Sequence, residues 1–144
     1  MLAVDPGSKR VGLAVSDELG ITAQPLASIP AEPAEDLPGR LAAVAKELGA
    51  AEVVVGLPRR LDGSEGPEAR GARDLAASLG AAAGLPVTMV DERLTTAAAE
   101  RHLVRSGLRR ARRREVVDEV AAVIILQGFL ATRAPRAGTG RPDA

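Results

Sequence analysis

The sequence predicts an α/β fold: one mixed five-stranded sheet, three antiparallel strands followed by parallel β-α-β units, with helices on both faces. Three observations predict it. Short apolar runs such as Glu52–Leu57 and Leu85–Val90 stop at proline, glycine or an acid, as buried strands do. Two such runs near the N-terminus are only a few residues apart, close enough to form a hairpin. From residue 37 onward, apolar residues at helical spacing alternate with the strand-like runs.

Residues 2–5 (LAVD) form the first strand, stopped by Pro6-Gly7. Val11–Ser16 is the second, joined to the first by a loose, basic connection (GSKR). Ile21–Ile29 forms a third, which Pro25 pushes toward a sheet edge or a bulge. Leu37, Leu41, Val44 and Leu48 mark an amphipathic helix with Gly49 as its stop. Glu52–Leu57 is β-branched and buried on both faces. The loop Pro58–Pro67 (PRRLDGSEGP) is expected to be exposed and mobile. An alanine-rich helix over 67–83 turns Leu75 and Leu79 inward and ends at Gly84. Leu85–Val90 is the last strand, terminating at Asp91-Glu92. Thr95 or Thr96 caps a helix that reaches Ser106, and Gly107 closes it. Glu115–Thr132 is apolar on nearly every side and reads as a largely buried helix. Residues 1–133 are thus one domain, and the Pro/Gly/Arg-rich tail 134–144 is expected to be disordered. Apart from its final helix, the order β-β-β-α-β-α-β-α-α is that of the ribonuclease H-like fold.

Composition narrows the chemistry. The chain has 144 residues, 46% apolar and 26% charged, the make-up of a globular protein with a core. With no cysteine and a single His102, thiolate metal sites, cysteine nucleophiles and His-rich zinc sites are excluded. No apolar run approaches the ~20 residues of a membrane span, and no signal peptide is visible, so a cytoplasmic location is expected. Phe129 is the only aromatic residue, which removes base stacking as a means of holding a single strand.

Two acids close apolar strands, Asp5 after LAV and Glu92 after VTMVD. If the first and last strands run parallel and adjacent, both acids emerge at the C-terminal sheet edge, where α/β ligand sites lie. A third, Asp118, shares a helical stripe with Ala121, Ala122, Ile125 and Phe129 and so projects from the core-facing side. A buried carboxylate is costly unless a cation answers it. Three oxygen ligands without sulfur or imidazole suit Mg²⁺ or Mn²⁺. Two such ions about 3.5–4 Å apart support phosphodiester hydrolysis without a protein nucleophile. Asp5, Glu92 and Asp118 are therefore the candidate catalytic and metal-binding residues. Alternation sends Asp91 and Glu92 to opposite faces, so only one of them reaches the metals. Each acid also has a plainer reading: Asp5 as a turn initiator, Glu92 as an ion-pair partner, Asp118 as a first-turn acid favouring the helix dipole.

The 19 acidic and 19 basic charges balance overall, but eight arginines face only Glu100 between Arg93 and Arg114. Such a run is often just a solvated loop, yet this one directly precedes the helix bearing Asp118, where a phosphate backbone must lie. Candidate nucleic-acid contacts are Lys9, Arg10, Arg59, Arg60, Arg93, Arg105, Arg109, Arg110, Arg112, Arg113 and Arg114.

These residues together resemble the YqgF family, also called RuvX, a Holliday-junction-resolvase-like branch of the ribonuclease H-like superfamily. The motifs are Asp5-Pro-Gly-Ser-Lys-Arg-Val-Gly-Leu-Ala, Val55-Gly-Leu-Pro with Asp62-Gly, Asp91-Glu92-Arg93-Leu94-Thr95-Thr96, and Asp118 with Ala121-Ala122-Val-Ile-Ile-Leu-Gln127. They span residues 1–130. The resemblance implies a bacterial cytoplasmic nuclease whose metal-binding acids map onto Asp5, Glu92 and Asp118. Its implied substrates are the 5′ end of pre-16S rRNA or four-way DNA junctions. Junction resolution would take two active sites and hence a homodimer; RNA trimming would not. Arg59-Arg60 departs from the family pattern, which is often less basic there. Two rivals remain: an actin-like nucleotide-binding ATPase, suggested by DPGSKRVGLAV, and a binder of structured RNA or junctions with no catalysis.

Overall fold

The computed structural model describes residues 1–17, 19–20, 22–60, 62–91 and 121–130. Five strands, β1 (Leu2–Pro6), β2 (Arg10–Ser16), β3 (Ala23–Pro30), β4 (Val53–Leu57) and β5 (Val87–Asp91), make one sheet in the order β3-β2-β1-β4-β5. β1 pairs antiparallel with β2, and β2 with β3, whereas β1, β4 and β5 run parallel. This is the expected mixed sheet, with one difference. The first and last strands are parallel but not adjacent, because β4 lies between them.

Alternation along the strands divides the core in two. Leu2, Val4, Val11, Leu13, Val53 and Val55 point to one face and pack against α1 (Leu37–Leu48) and α2 (Pro67–Ala83). Ala3 and Ala14 point to the other, where helical residues 121–130 cover them with Ala122, Leu126 and Leu130. Helices therefore lie on both faces.

The helices follow from their sequences. α1 buries Leu37, Leu41 and Ala45 at four-residue spacing, after a 3-10 turn at Ala34–Asp36. α2 runs over the predicted span and stops where Gly84, at φ 68°, donates its N–H to the Gly80 carbonyl at 2.9 Å. Its inward face is mostly alanine: Ala69, Ala72, Ala76 and Leu79 are buried, and Leu75 only partly. In the segment 121–130, Ala121, Ala122, Ile125, Leu126 and Leu130 are buried while Gln127 and Gly128 are exposed. Among the described residues no helix is long and apolar enough to cross a membrane.

Three local expectations are corrected. β3 begins at Ala23 and includes Pro30, later than predicted. It is an edge strand, but its irregularity falls between Leu26 and Ile29 and not at Pro25, which sits in register with Ala14. The β1–β2 connection is tight: only Gly7, Ser8 and Lys9 lie between the strands, and a Cβ on Gly7 would overlap the Arg10 carbonyl oxygen. The segment after β4 is largely exposed, as expected, but its described residues are tied by internal hydrogen bonds. Arg60 N–H donates to the Ser64 carbonyl at 2.9 Å, Gly63 N–H to the Arg60 carbonyl at 2.8 Å, and Ser64 N–H to Asp62 Oδ1 at 2.8 Å. The predicted helix from Thr95 or Thr96 to Ser106, the arginine run and the tail lie outside the described residues.

Candidate active site

The parallel strands all end at one edge of the sheet, and Asp5 sits there, half-buried near the end of β1. Its alternation with Ala3 puts it on the face covered by the segment 121–130. Its cross-strand partner on β2 is Gly12. On β4, the residue in step with Asp5 is Gly56, one past the Val4–Val55 pair. The carboxylate is thus flanked on both neighbouring strands by residues without side chains, and both glycines are buried. Glycine inside a strand marks a close approach of another group to the backbone. Sequence reasoning missed this setting, although its signal is visible: two Val-Gly-Leu triplets, Val11–Leu13 and Val55–Leu57, one in each strand beside β1.

Asp91 belongs to the opposite face. It pairs in register with Leu57 and shares the side of Val87 and Met89, which pack against the α1–α2 core. It meets Arg59 there, with Arg59 Nη1 3.8 Å from Asp91 Oδ2. Of the two acids expected to compete for one position, Asp91 lies on the face away from Asp5. Glu92 and Asp118 lie outside the described residues, as do Arg93, Arg105, Arg109, Arg110, Arg112, Arg113 and Arg114. Among the described residues no three carboxylates or imidazoles gather to hold an ion, and Asp5 is the one predicted ligand whose position is known.

The described cations are spread along the same edge. Lys9 is exposed in the β1–β2 turn and its carbonyl accepts the Ala31 N–H at 2.8 Å. Arg10 is exposed on β2 and donates from Nε to Ser28 Oγ and from Nη2 to the Ser28 carbonyl, both at 2.8 Å. Arg60 is exposed, with its guanidinium over Gly66 at the start of α2. Arg59 differs from these: it lies between Asp91 and Glu65, with Nη2 3.5 Å from Glu65 Oε2.

Glu65 and Arg73 were not foreseen. Arg73 holds Glu65 with two parallel bonds, Nε to Oε1 at 2.8 Å and Nη2 to Oε2 at 2.7 Å. The Arg73 hydrogen bonds, with the Arg73 and Arg59 charges, hold the Glu65 carboxyl below the usual carboxylate range, and Glu65 raises Arg73 in return. Asp62 is likewise held low, chiefly by the Ser64 hydroxyl and then the Ser64 N–H. No periodicity links Glu65 to Arg73, because a loop-to-helix boundary separates them.

The donors proposed for a metal are carboxylates alone, and the one described, Asp5, sits at a strand end between two backbone-only neighbours. That chemistry fits a hard divalent cation.

The relatives of this chain agree with its architecture. Proteins called "Putative pre-16S rRNA nuclease" match it almost end to end: 47% identity in Symbiobacterium thermophilum, over 92% of this chain and 92% of the relative. The Moorella thermoacetica protein is 50% identical over 90% of this chain and 93% of its own length. The Myxococcus xanthus protein is 44% identical over 99% and 94%. Among solved structures, Thermus thermophilus RuvC superposes with a TM-score of 0.53 at 20% identity, over 94% of this chain and 97% of RuvC. RuvC in complex with a Holliday junction substrate gives 0.51 at 24%, over 93% and 96%. At these identities the likeness speaks for the fold, which is ribonuclease H-like. The RuvX family model, described as Holliday junction resolvase, matches residues 1–132, so with this sheet and an acid at the end of its β1 the chain belongs to the RuvX family.

Proposed function

We propose that this chain is a metal-dependent nuclease that acts on structured RNA, trimming the 5′ end of pre-16S rRNA in the cytoplasm. The name carried by relatives at 44–50% identity favours RNA over a DNA junction. The observation that carries the reading is the placing of Asp5 at the C-terminal sheet edge between Gly12 and Gly56.

The rest of the acid set is read from where Glu92 and Asp118 fall in sequence beside the described elements. Leu130 lies 3.8 Å from the place of a Cβ on Gly20, at the edge where Ser16 N–H donates to the Met1 carbonyl. The segment 121–130 thus reaches the N-terminal edge of β1 with its own C-terminal end, while packing over Ala3 and Ala14. Its N-terminal end is the one nearer Asp5, and Asp118 precedes Ala121 by three residues in sequence. On β5, Asp91 takes the α2 face, and Glu92 is the residue that follows it in sequence.

Asp5, Glu92 and Asp118 would hold two Mg²⁺ or Mn²⁺ ions, which when bound would supply Lewis acidity at the scissile phosphate. The protein's own part would be to orient three carboxylates and to align the phosphate chain beside them. Lys9, Arg10 and Arg60, with Arg93, Arg105, Arg109, Arg110 and Arg112–Arg114, would neutralise phosphates along the approach.

Asp5→Asn tests this. It keeps the shape of the side chain and removes the charge, so cleavage of a pre-16S leader RNA should fall by at least about a hundredfold, above the 10–100-fold typical of outer-shell partners. Binding of that RNA should persist, and the melting-temperature rise on adding Mn²⁺ should be lost. Normal cutting by the variant, or cutting that survives chelation, overturns the reading. Faster cutting of a four-way DNA junction in a parallel assay would move the substrate to DNA and require a dimer.

A further inference from the structure

We propose that Arg59 is a positioning residue that pins the end of β5, and not a contact for nucleic acid. The inference rests on the nuclease reading in one respect: the residue after Asp91 is Glu92.

The two parallel strands end level, Leu57 of β4 opposite Asp91 of β5. Two residues past Leu57, Arg59 reaches across this end. One of its terminal nitrogens lies 3.8 Å from Asp91 Oδ2 and the other 3.5 Å from Glu65 Oε2. Glu65 is itself held by both Arg73 bonds from α2. The result is a row of alternating charge, Asp91–Arg59–Glu65–Arg73, that ties the last residue of β5 to the 58–66 segment and to α2. Two carboxylates answer two guanidiniums, so Arg59 has little charge left to offer a phosphate. Its side chain is only 32% exposed, and its Nε is enclosed without a hydrogen-bond partner among the described residues. Arg60 differs: it is exposed, with its guanidinium lying over Gly66 and not between two carboxylates. Arg59 is built in.

Its leverage comes through Asp91. Holding Asp91 on the α2 face stops the end of β5 from rotating about its axis, and Asp91 is the residue bonded in sequence to the proposed ligand Glu92. Outer-shell partners of metal ligands act in this way, by restricting the ligand and not by touching the substrate.

The test compares Arg59→Met, Asp91→Asn and the double variant in the full chain, with leader RNA and Mn²⁺ as probes. Arg59→Met should lower kcat about 10–100-fold. It should also raise the Mn²⁺ concentration that gives half the melting-temperature rise, while RNA affinity and its salt dependence stay as in wild type. The effects in the double variant should be less than additive, since both single changes remove the Arg59–Asp91 contact. Three results would overturn the proposal: weaker RNA binding with a salt slope flatter by about one phosphate; kcat and Mn²⁺ dependence both unchanged; or additive effects in the double variant. A wild type that responds to Mn²⁺ without cutting would instead sink the nuclease reading, leaving the Mn²⁺ midpoint and the salt slope to decide the role of Arg59.

Discussion

The two faces of the sheet are built from different materials. Toward α1 and α2 the strands present Leu2, Val4, Val11, Leu13, Val53 and Val55, a thick layer into which Leu37, Leu41 and Leu79 fit. Toward the segment 121–130 they present mostly smaller residues, Ala3 opposite Ala14 with Val54 beside it on β4, then Asp5 opposite Gly12. Large side chains hold helices at a distance and supply most of the burial. Small ones let a helix lie close to the backbone, which leaves a carboxylate at the strand end near whatever the helix brings. One face stabilises; the other brings groups together.

Substitutions on each face can break or sharpen that contrast. The largest effect on stability is expected from Leu41→Ala, because Leu41 is fully buried in the thick layer. It should lower the unfolding free energy by about 2–5 kcal/mol in urea titration, with turnover near wild type at a temperature where the variant stays folded. A second, smaller effect is expected from Ala3→Leu, which forces extra volume under the 121–130 segment. Overpacking of this kind typically removes about 1–3 kcal/mol. Here cleavage should fall further than stability predicts, since Asp5 lies one step along the same face. If Leu41→Ala harmed turnover more than Ala3→Leu, the division of labour between the faces would be wrong.

The smallest effect concerns the brace at the sheet edge. Glu65 is held below its ordinary carboxylate range in the folded chain. Its contribution to stability is therefore complete above that range and is lost as pH falls through its lowered folded value. Because the pair is solvent-facing, salt should weaken it. Wild type should melt slightly above Glu65→Gln at neutral pH and low salt, and the gap should close in acid. A gap that widened in acid would contradict the ion-pair account.

Much of this was legible in the residues themselves. Helix α1, α2 with its glycine stop, and the apolar strands followed from spacing and punctuation, because burial on one side imposes a period that local sequence records. The bracing of 58–66 was not legible. Its composition reads as loop, and only Ser64 beside Asp62 and Arg73 one helical stretch away make it ordered. Arg59 and Arg60 look alike in sequence yet differ in setting, one between two carboxylates and the other in solvent.

By itself, the sequence determined which runs become strands and helices, and that thiol chemistry is excluded, since the chain has no cysteine. It did so because periodicity and residue inventory are properties of the chain alone. Tertiary structure decided what stands beside what: β4 between β1 and β5, glycines on both sides of Asp5, Asp91 turned from Asp5 toward Arg59. Those outcomes depend on strand order and register, which are fixed by contacts between residues far apart in the chain.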